Sequence, residues 1–533
     1  MRLAFLALLL PLLAACSEAG PRDRSLAPAQ AARAALEGLS PAVGPESAEA
    51  SARQAGLVPD TLAPLYPEGA DMLLRFEDMA TLEKLVTPHF AEVRRLLPQA
   101  GVPKGSPSGF LRRAFTLPHD VDFDTGRAFA LVRWKGRWIG FLPTLGTEQN
   151  ERMRRTGPLY CAVGPPDLVA AYAPAGRGGY VLSGQLSLLA APRALADLSV
   201  GLGELLEPLG LTAPTIPSLA GLARGLTRID LALRFSPRDL QIDLRLAPRA
   251  EGPLAATFLR LVPDSSRTAR LLPRDATLYA EWASPRAELV ALAGKLLQPD
   301  ATAFLGTSAA CAVRLGSEGP GSLSFVAELE DPAAAHAFFR SSSFENLLRD
   351  LAGEGGHLDW APEIFRRQGA VVGLVTGHIG RPVLQRLREA GPAATVLATL
   401  LRGPVVAYVG IVGERLGIVI GQRARPEAER FFDGLASGAM QDNPHTVEAA
   451  LLHPKRFAAL TVDLAALVEG CREAGPFLFR EGRGLLDLRL RTRVPVTASL
   501  TIESASLRAT ATFSPRQLAS LLAQIRIATT RGS

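Results

Sequence analysis

Lysine is almost absent from this chain. Lys84, Lys104, Lys135, Lys295 and Lys455 are the only lysines, so nearly all of the 58 basic residues are arginine. The arginines are scattered and not gathered into a block, and no aromatic-rich basic motif accompanies them. The net charge of +6 therefore does not mark a nucleic-acid interface. Cysteine is equally sparse, with 4 residues and no C-x-x-C pair, which excludes the usual zinc and thioredoxin-like spacings. There is no H-E-x-x-H, no G-x-S-x-G, no S-x-x-K and no phosphate-loop lysine after a glycine cluster, so no catalytic motif is carried on a local run. What is present is a globular composition, 47% hydrophobic and 21% charged, in 533 residues. That length exceeds one typical core and implies two or more domains.

The chain opens with one arginine and a short apolar run, Leu3–Leu12, followed by Leu13-Ala14-Ala15-Cys16. A basic residue, a short hydrophobic stretch and small residues form a secretory signal, and the run is too short for a finished membrane helix. Leu13-Ala14-Ala15-Cys16 resembles the lipobox of bacterial lipoproteins. The resemblance implies a signal peptide over 1–15, a diacylglycerol thioether on Cys16 and acylation of the new amine. The membrane lipid contacted through that anchor is then a partner. Two or three acyl chains hold stably where one holds marginally. Ser17 stands where an aspartate favours inner-membrane retention, so the family rule points to the outer membrane. Residues 16–60, rich in Ala, Pro, Ser and Glu, read as the lipidated cysteine and a tether.

Beyond the tether the body shows an internal repeat. Pro67–Phe76 lines up without gaps on Pro273–Trp282. Each copy has a proline-led turn, a short strand, a capping residue (Asp78 or Ser284) and an amphipathic helix. Ile229–Phe235 and Leu240–Leu246 alternate apolar and polar, as do Val496–Ile502 and Leu507–Phe513. This period predicts half-buried antiparallel strands with one wet face. Hairpins are predicted at Lys135-Gly136 and at Gly413-Glu414-Arg415. Strands lead into helices capped at Asp331-Pro332 and beginning near Pro426. The expected fold class is α+β: two similar lobes, 61–265 and 266–530, each a mainly antiparallel sheet with helices packed on one face. The plan is similar to uncharacterised exported bacterial proteins of unknown function with repeated strand–helix modules. That likeness implies no catalytic residue.

Individual residues are weighed by the chemistry their spacing permits. His119-Asp120-Val121-Asp122-Phe123-Asp124-Thr125-Gly126 has the alternating oxygens of a calcium loop. Thr125, however, intervenes before the glycine, and Val121 and Phe123 read as the inward side of a strand. His89, His119, His336, His357, His378, His445 and His453 form no close ligand spacing. With Cys16 lipidated, Cys161, Cys311 and Cys471 allow at most one disulfide, and Cys161 and Cys311 sit in apolar strands as buried thiols. Trp134 and Trp138 flank a hairpin tip, either exposed to a membrane interface or a sugar or packed across the strands. Gly176–Gly179 and Gly201–Gly203 read as loops. No catalytic, cofactor-binding or metal residue is assigned, and Cys16 is the single site residue.

Three functions follow. The first is an envelope lipoprotein acting as a non-enzymatic binding or scaffold module. The second is a carrier or chaperone for lipid or another apolar ligand. The third is a hydrolase with dispersed catalytic residues, which requires a cleft where nucleophile, base and oxyanion donors converge.

Overall fold

The computed structural model describes residues 57–96, 109, 122, 124–145, 150–191, 225–261, 267–283, 303–316, 319–367, 369–389, 401, 403–421, 425–438, 443–470, 494–503 and 505–521. They fall into two compact units, one within Ser25–Leu259 together with Ile502–Ala523, the other within Arg260–Thr501. The anchor residue Cys16, the tether up to residue 56, His119 to Val121, Phe123, Ser284, Gly201–Gly203 and Cys471 lie outside the described residues.

The N-terminal unit contains β1 (Leu57–Pro59), β2 (Met72–Phe76), α1 (Met79–Leu96), β3 (Phe129–Trp134), β4 (Arg137–Pro143), β5 (Met153–Arg155) and β6 (Tyr160–Val163). It continues with α2 (Pro166–Ala171), β7 (Tyr180–Leu182), β8 (Leu186–Ala190), β9 (Leu226–Phe235), β10 (Leu240–Pro248) and α3 (Pro253–Arg260). Its antiparallel sheet runs β5-β6-β4-β3-β2-β8-β9-β10 and ends on the C-terminal strand Ser506–Phe513 (β20). The last strand thus joins the N-terminal unit through β10. β1 and β7 form a separate two-stranded sheet.

The C-terminal unit contains β11 (Leu278–Ala283), β12 (Leu305–Gly316), β13 (Gly319–Leu329), α4 (Pro332–Phe339), α5 (Ser342–Ala352), β14 (His357–Arg367), β15 (Ala370–His378) and α6 (Arg381–Glu389). β16 (Val405–Val412), β17 (Arg415–Gly421), α7 (Arg425–Ser437), α8 (Pro444–Leu452), β18 (Ala458–Val462) and β19 (Val496–Glu503) complete it. The order is β14-β15-β16-β17-β13-β12-β11-β18-β19, antiparallel throughout. β2 lies between β3 and β8, and β11 lies between β12 and β18. A 3-10 turn precedes each central strand, Ala63–Leu65 and Thr268–Leu271.

Local chemistry explains the joints. Lys135 and Gly136 both have positive φ, 51° and 77°, the backbone of a two-residue turn that matches strand twist. The Asp78 carboxylate accepts the Thr81 amide at 3.0 Å, and Asp331 accepts that of Ala334 at 2.8 Å, so both helix starts are capped as expected. Asn443 caps α8 in a reciprocal box with Thr446.

Helices lie on both faces of the C-terminal sheet, where the sequence reading places them on one. Phe431, Phe432 and Leu435 of α7 pack with Tyr279, Ala312, Val326 and Val419. On the opposite face Phe344, Leu347 and Leu348 of α5 pack with Leu329, Val409 and Leu416. A length of chain sufficient for two helical layers follows β13, and each layer buries one side of the sheet. Gly410 and Gly417 are cross-strand partners beneath Phe432, and a Cβ on either would stand 2.8 Å from that ring. Gly410→Val should therefore cost about 1–3 kcal/mol by overpacking, read as a lower urea midpoint. An unchanged midpoint would contradict the close approach. No helix among the described residues is long and apolar enough to cross a membrane.

Candidate functional site

Strand alternation places the polar groups inward in both units. On β11 the buried residues are Tyr279, Glu281 and Ala283, while Leu278, Ala280 and Trp282 are half-exposed. On β13, Ser322 and Ser324 are buried, while Leu323 and Phe325 are half-exposed. In the N-terminal unit Asp230 and Asp243 are buried, while Leu231, Leu233, Ile242 and Leu244 on the other face are half-exposed. This corrects the expectation of a wet polar face. The charged face is covered because it finds charge partners and because β1 and β7 lie over it, with Leu57 and Leu182 against Ala232.

The buried partners are specific. Asp243, 0% exposed, accepts from the Thr510 hydroxyl and from Gln241 Nε2 at 3.2 Å. It also pairs with Arg234 at 3.1 Å and Arg508 at 3.6 Å. Asp230 accepts from Arg228 Nε at 2.8 Å and lies 3.5 Å from Arg245. Arg75, buried on β2, pairs with Asp60 at 3.0 Å. The Tyr66 hydroxyl donates to Asp60 at 2.7 Å, and burial together with that carboxylate pushes the Tyr66 phenol far above its ordinary range. Buried charges persist only when paired in this way.

The repeat places Glu281 where the first copy has Arg75. Arg456 Nε donates to Glu281 Oε1, and His445 Nε2 lies 3.5 Å from the same oxygen. The other ring nitrogen, Nδ1, sits 2.7 Å from Thr461 Oγ1, and Tyr279 stacks on the imidazole at 5.7 Å between centroids. Burial pushes the Glu281 carboxyl up, but His445 and Arg456 together outweigh it and hold it below its ordinary range. Carboxylate, imidazole and hydroxyl thus follow the order of an acid–base–nucleophile chain. His445 is 0% and Thr461 2% exposed, so this hydroxyl has no approach for a substrate. The set is a buried structural network.

Apolar residues on the opposite faces of these strands are only half-buried. Cross-strand pairing sets Leu186 against Leu233 and Leu233 against Ile242, and Leu188 against Leu231 and Leu231 against Leu244. All six are half-exposed. In the C-terminal unit Phe325 pairs with Ile418 and Leu323 with Ile420. Trp282, Phe325, Ile418 and Ile420 flank the buried cluster of Phe304 and Phe344 while remaining half-exposed.

The remaining sequence candidates are placed as follows. Asp124 accepts the Gly126 amide at 3.1 Å and pairs with Arg127 at 2.6 Å, in a turn. No group of three metal-binding side chains occurs among the described residues. Trp134 and Trp138 are both buried and lie on opposite faces, since Trp134 pairs with Arg137 and Trp138 with Arg133. They therefore neither reach an interface nor pack on each other. Trp134 donates to the Glu68 carbonyl at 2.9 Å. Cys161 and Cys311 are free thiols, and burial pushes Cys311 up to about 11, which leaves it protonated and inert. The sequence reading missed Glu281, His445, Arg456 and Asp243. For Glu281 the available signal was an ionisable residue within the otherwise apolar strand Leu278–Ala283; His445 and Arg456 lie off the strands.

No family model and no curated protein matches the chain. Among solved structures it is similar to crystal form I of TP0453 (13% identity, TM-score 0.24, 49% of this chain and 98% of that chain). Crystal form IV of TP0453 gives 11% identity, a TM-score of 0.24 and coverage of 49% and 97%.

Proposed function

We propose that the protein is an envelope lipoprotein, held at the outer membrane through acyl chains on Cys16, whose body is a non-enzymatic binding module for an apolar ligand such as an acyl chain. The observation that supports the body's role is the inverted alternation: Ser322, Ser324, Glu281 and Asp243 are buried while Phe325, Trp282, Leu233 and Ile242 stay half-open. Leaving apolar area in contact with water costs about 25 cal/mol per Å², and a bound chain would recover it. The Glu281–His445–Thr461 set is buried, so its hydroxyl does not supply the nucleophile that a hydrolase reading needs.

The test uses the full chain with Cys16→Ala, free of acyl groups, titrated with the fluorescent fatty acid cis-parinaric acid. Saturable binding is expected. Phe325→Asp should weaken binding to the C-terminal unit, and Leu233→Asp binding to the N-terminal unit, each at least about tenfold, by placing a charge where a chain lies on that unit. Both positions are half-exposed, so folding should survive. Absence of saturable binding, or equal binding by both variants, would overturn the reading.

A further inference from the structure

The C-terminal unit holds a second candidate site, separate from the apolar faces. A cavity of about 320 Å³ is lined by Arg270, Arg274, Arg314 and Arg430 together with Asp275 and Glu427. Its floor is apolar: Leu271, Leu272 and Phe431 are buried there. Three elements converge to build it. The 3-10 turn and the Pro273–Asp275 turn supply one wall, β12 supplies Arg314, and the first turns of α7 supply Glu427 and Arg430.

The two carboxylates are already engaged. Asp275 pairs with Arg314 at 3.1 Å, and Glu427 accepts from the Ser322 hydroxyl at 2.6 Å. Arg430 Nε reaches only the Pro426 carbonyl, at 3.3 Å. Neither Arg274 nor Arg430 meets a carboxylate among the described residues. With Arg314 matched by Asp275, Arg274 and Arg430 supply the donors still open to a ligand, and an anion between them would relieve their mutual repulsion. The volume lies within the range of small-ligand sites, about 300–1,000 Å³.

We propose that this cavity binds a phosphate monoester. Its charge of about −1.5 to −2 and three acceptor oxygens match the surplus guanidinium donors. The buried Leu272 and Phe431 give the rest of the ligand an apolar surface. The phosphate belongs either to a soluble compound or to the headgroup of a lipid. The planar, forked guanidinium suits such an anion better than the point charge of lysine.

The full chain is titrated calorimetrically with inorganic phosphate, with dihexanoyl phosphatidate and with dihexanoyl phosphatidylcholine. Phosphate and phosphatidate should bind one to one, more weakly as salt rises, and should raise the unfolding temperature of the protein. Arg274→Ala combined with Arg430→Ala should lower both affinities at least about tenfold, with an unchanged unfolding midpoint in the absence of phosphate, since both arginines are exposed. Phosphatidate binding more than about tenfold tighter than phosphate assigns the site to a lipid headgroup, while comparable affinities assign it to a soluble phosphate. The proposal is overturned if neither probe binds at millimolar concentration. It is equally overturned if the double variant binds like the natural chain, or if phosphatidylcholine binds as well as phosphatidate.

Discussion

Replacing Glu281 with alanine should destabilise the C-terminal unit by about 3–5 kcal/mol, because it leaves the buried Arg456 guanidinium without its carboxylate. Arg456 and Glu281 are both almost fully enclosed, at 5% and 1% side-chain exposure, so water cannot replace the lost partner. His445 loses its carboxylate in the same step. The measurement is urea unfolding followed by Trp282 and Trp360, with Trp134 and Trp138 changed to phenylalanine so that emission reports this unit. Glu281→Leu combined with Arg456→Met should recover much of the loss, since removing both charges removes the desolvation cost. The Glu281 carboxyl is held below its ordinary range in the folded chain. Its contribution is therefore present above the unfolded value, about 4.3, and fades as pH falls through the folded value. The natural chain should lose midpoint on acidification through that window, and Glu281→Gln should lack that part of the loss. A change under about 1 kcal/mol in Glu281→Ala would show the network to be solvated.

Asp243→Ala should destabilise the N-terminal unit by about 1–3 kcal/mol, the cost of leaving its buried hydrogen-bond partners unsatisfied. Asp243 is enclosed on the covered face of β10 and takes four partners, Arg234, Gln241, Arg508 and Thr510. Arg234 on β9 would lose its carboxylate, and Arg508 on β20 would be left with Glu503 alone, at 3.0 Å. Asp243→Asn keeps the acceptor for Thr510 and should cost less. Unfolding followed by Trp134 and Trp138, in a background lacking the other two tryptophans, reads the effect. Equal midpoints for Asp243→Ala and the natural chain would mean that the aspartate is not what holds these strands together.

Much of the local structure is legible in the sequence. The Lys135-Gly136 turn, the caps at Asp78 and Asp331, and the strands over 229–235, 240–246 and 507–513 all follow from residue type and period. Which face turns inward does not follow. Alternation assigns residues to two faces, and the choice between them depends on partners far away in the chain. Glu281 meets Arg456 across 175 residues and Asp243 meets Thr510 across 267. Without those partners, burying an aspartate looks prohibitive and exposing a leucine looks wasteful. The arginine cavity was illegible for the same reason: Arg270, Arg314 and Arg430 come from three separated elements, and a scattered residue type reads as composition alone. The proposed lipidation of Cys16 is the reverse case: it rests on four consecutive residues, which lie outside the described ones.

The proposed apolar-ligand role is tested most directly at Trp282, half-exposed on β11, which like Phe325 and Ile418 packs against the Phe304–Phe344 cluster. The non-acylated chain is titrated with a fatty acid brominated near the middle of its chain and, in parallel, with the unbrominated acid. Bromine quenches an indole it touches. The account predicts saturable quenching by the brominated acid alone, with the quenched component missing in Trp282→Phe. Identical emission with both acids at saturating concentration, or quenching that persists undiminished in Trp282→Phe, would contradict it.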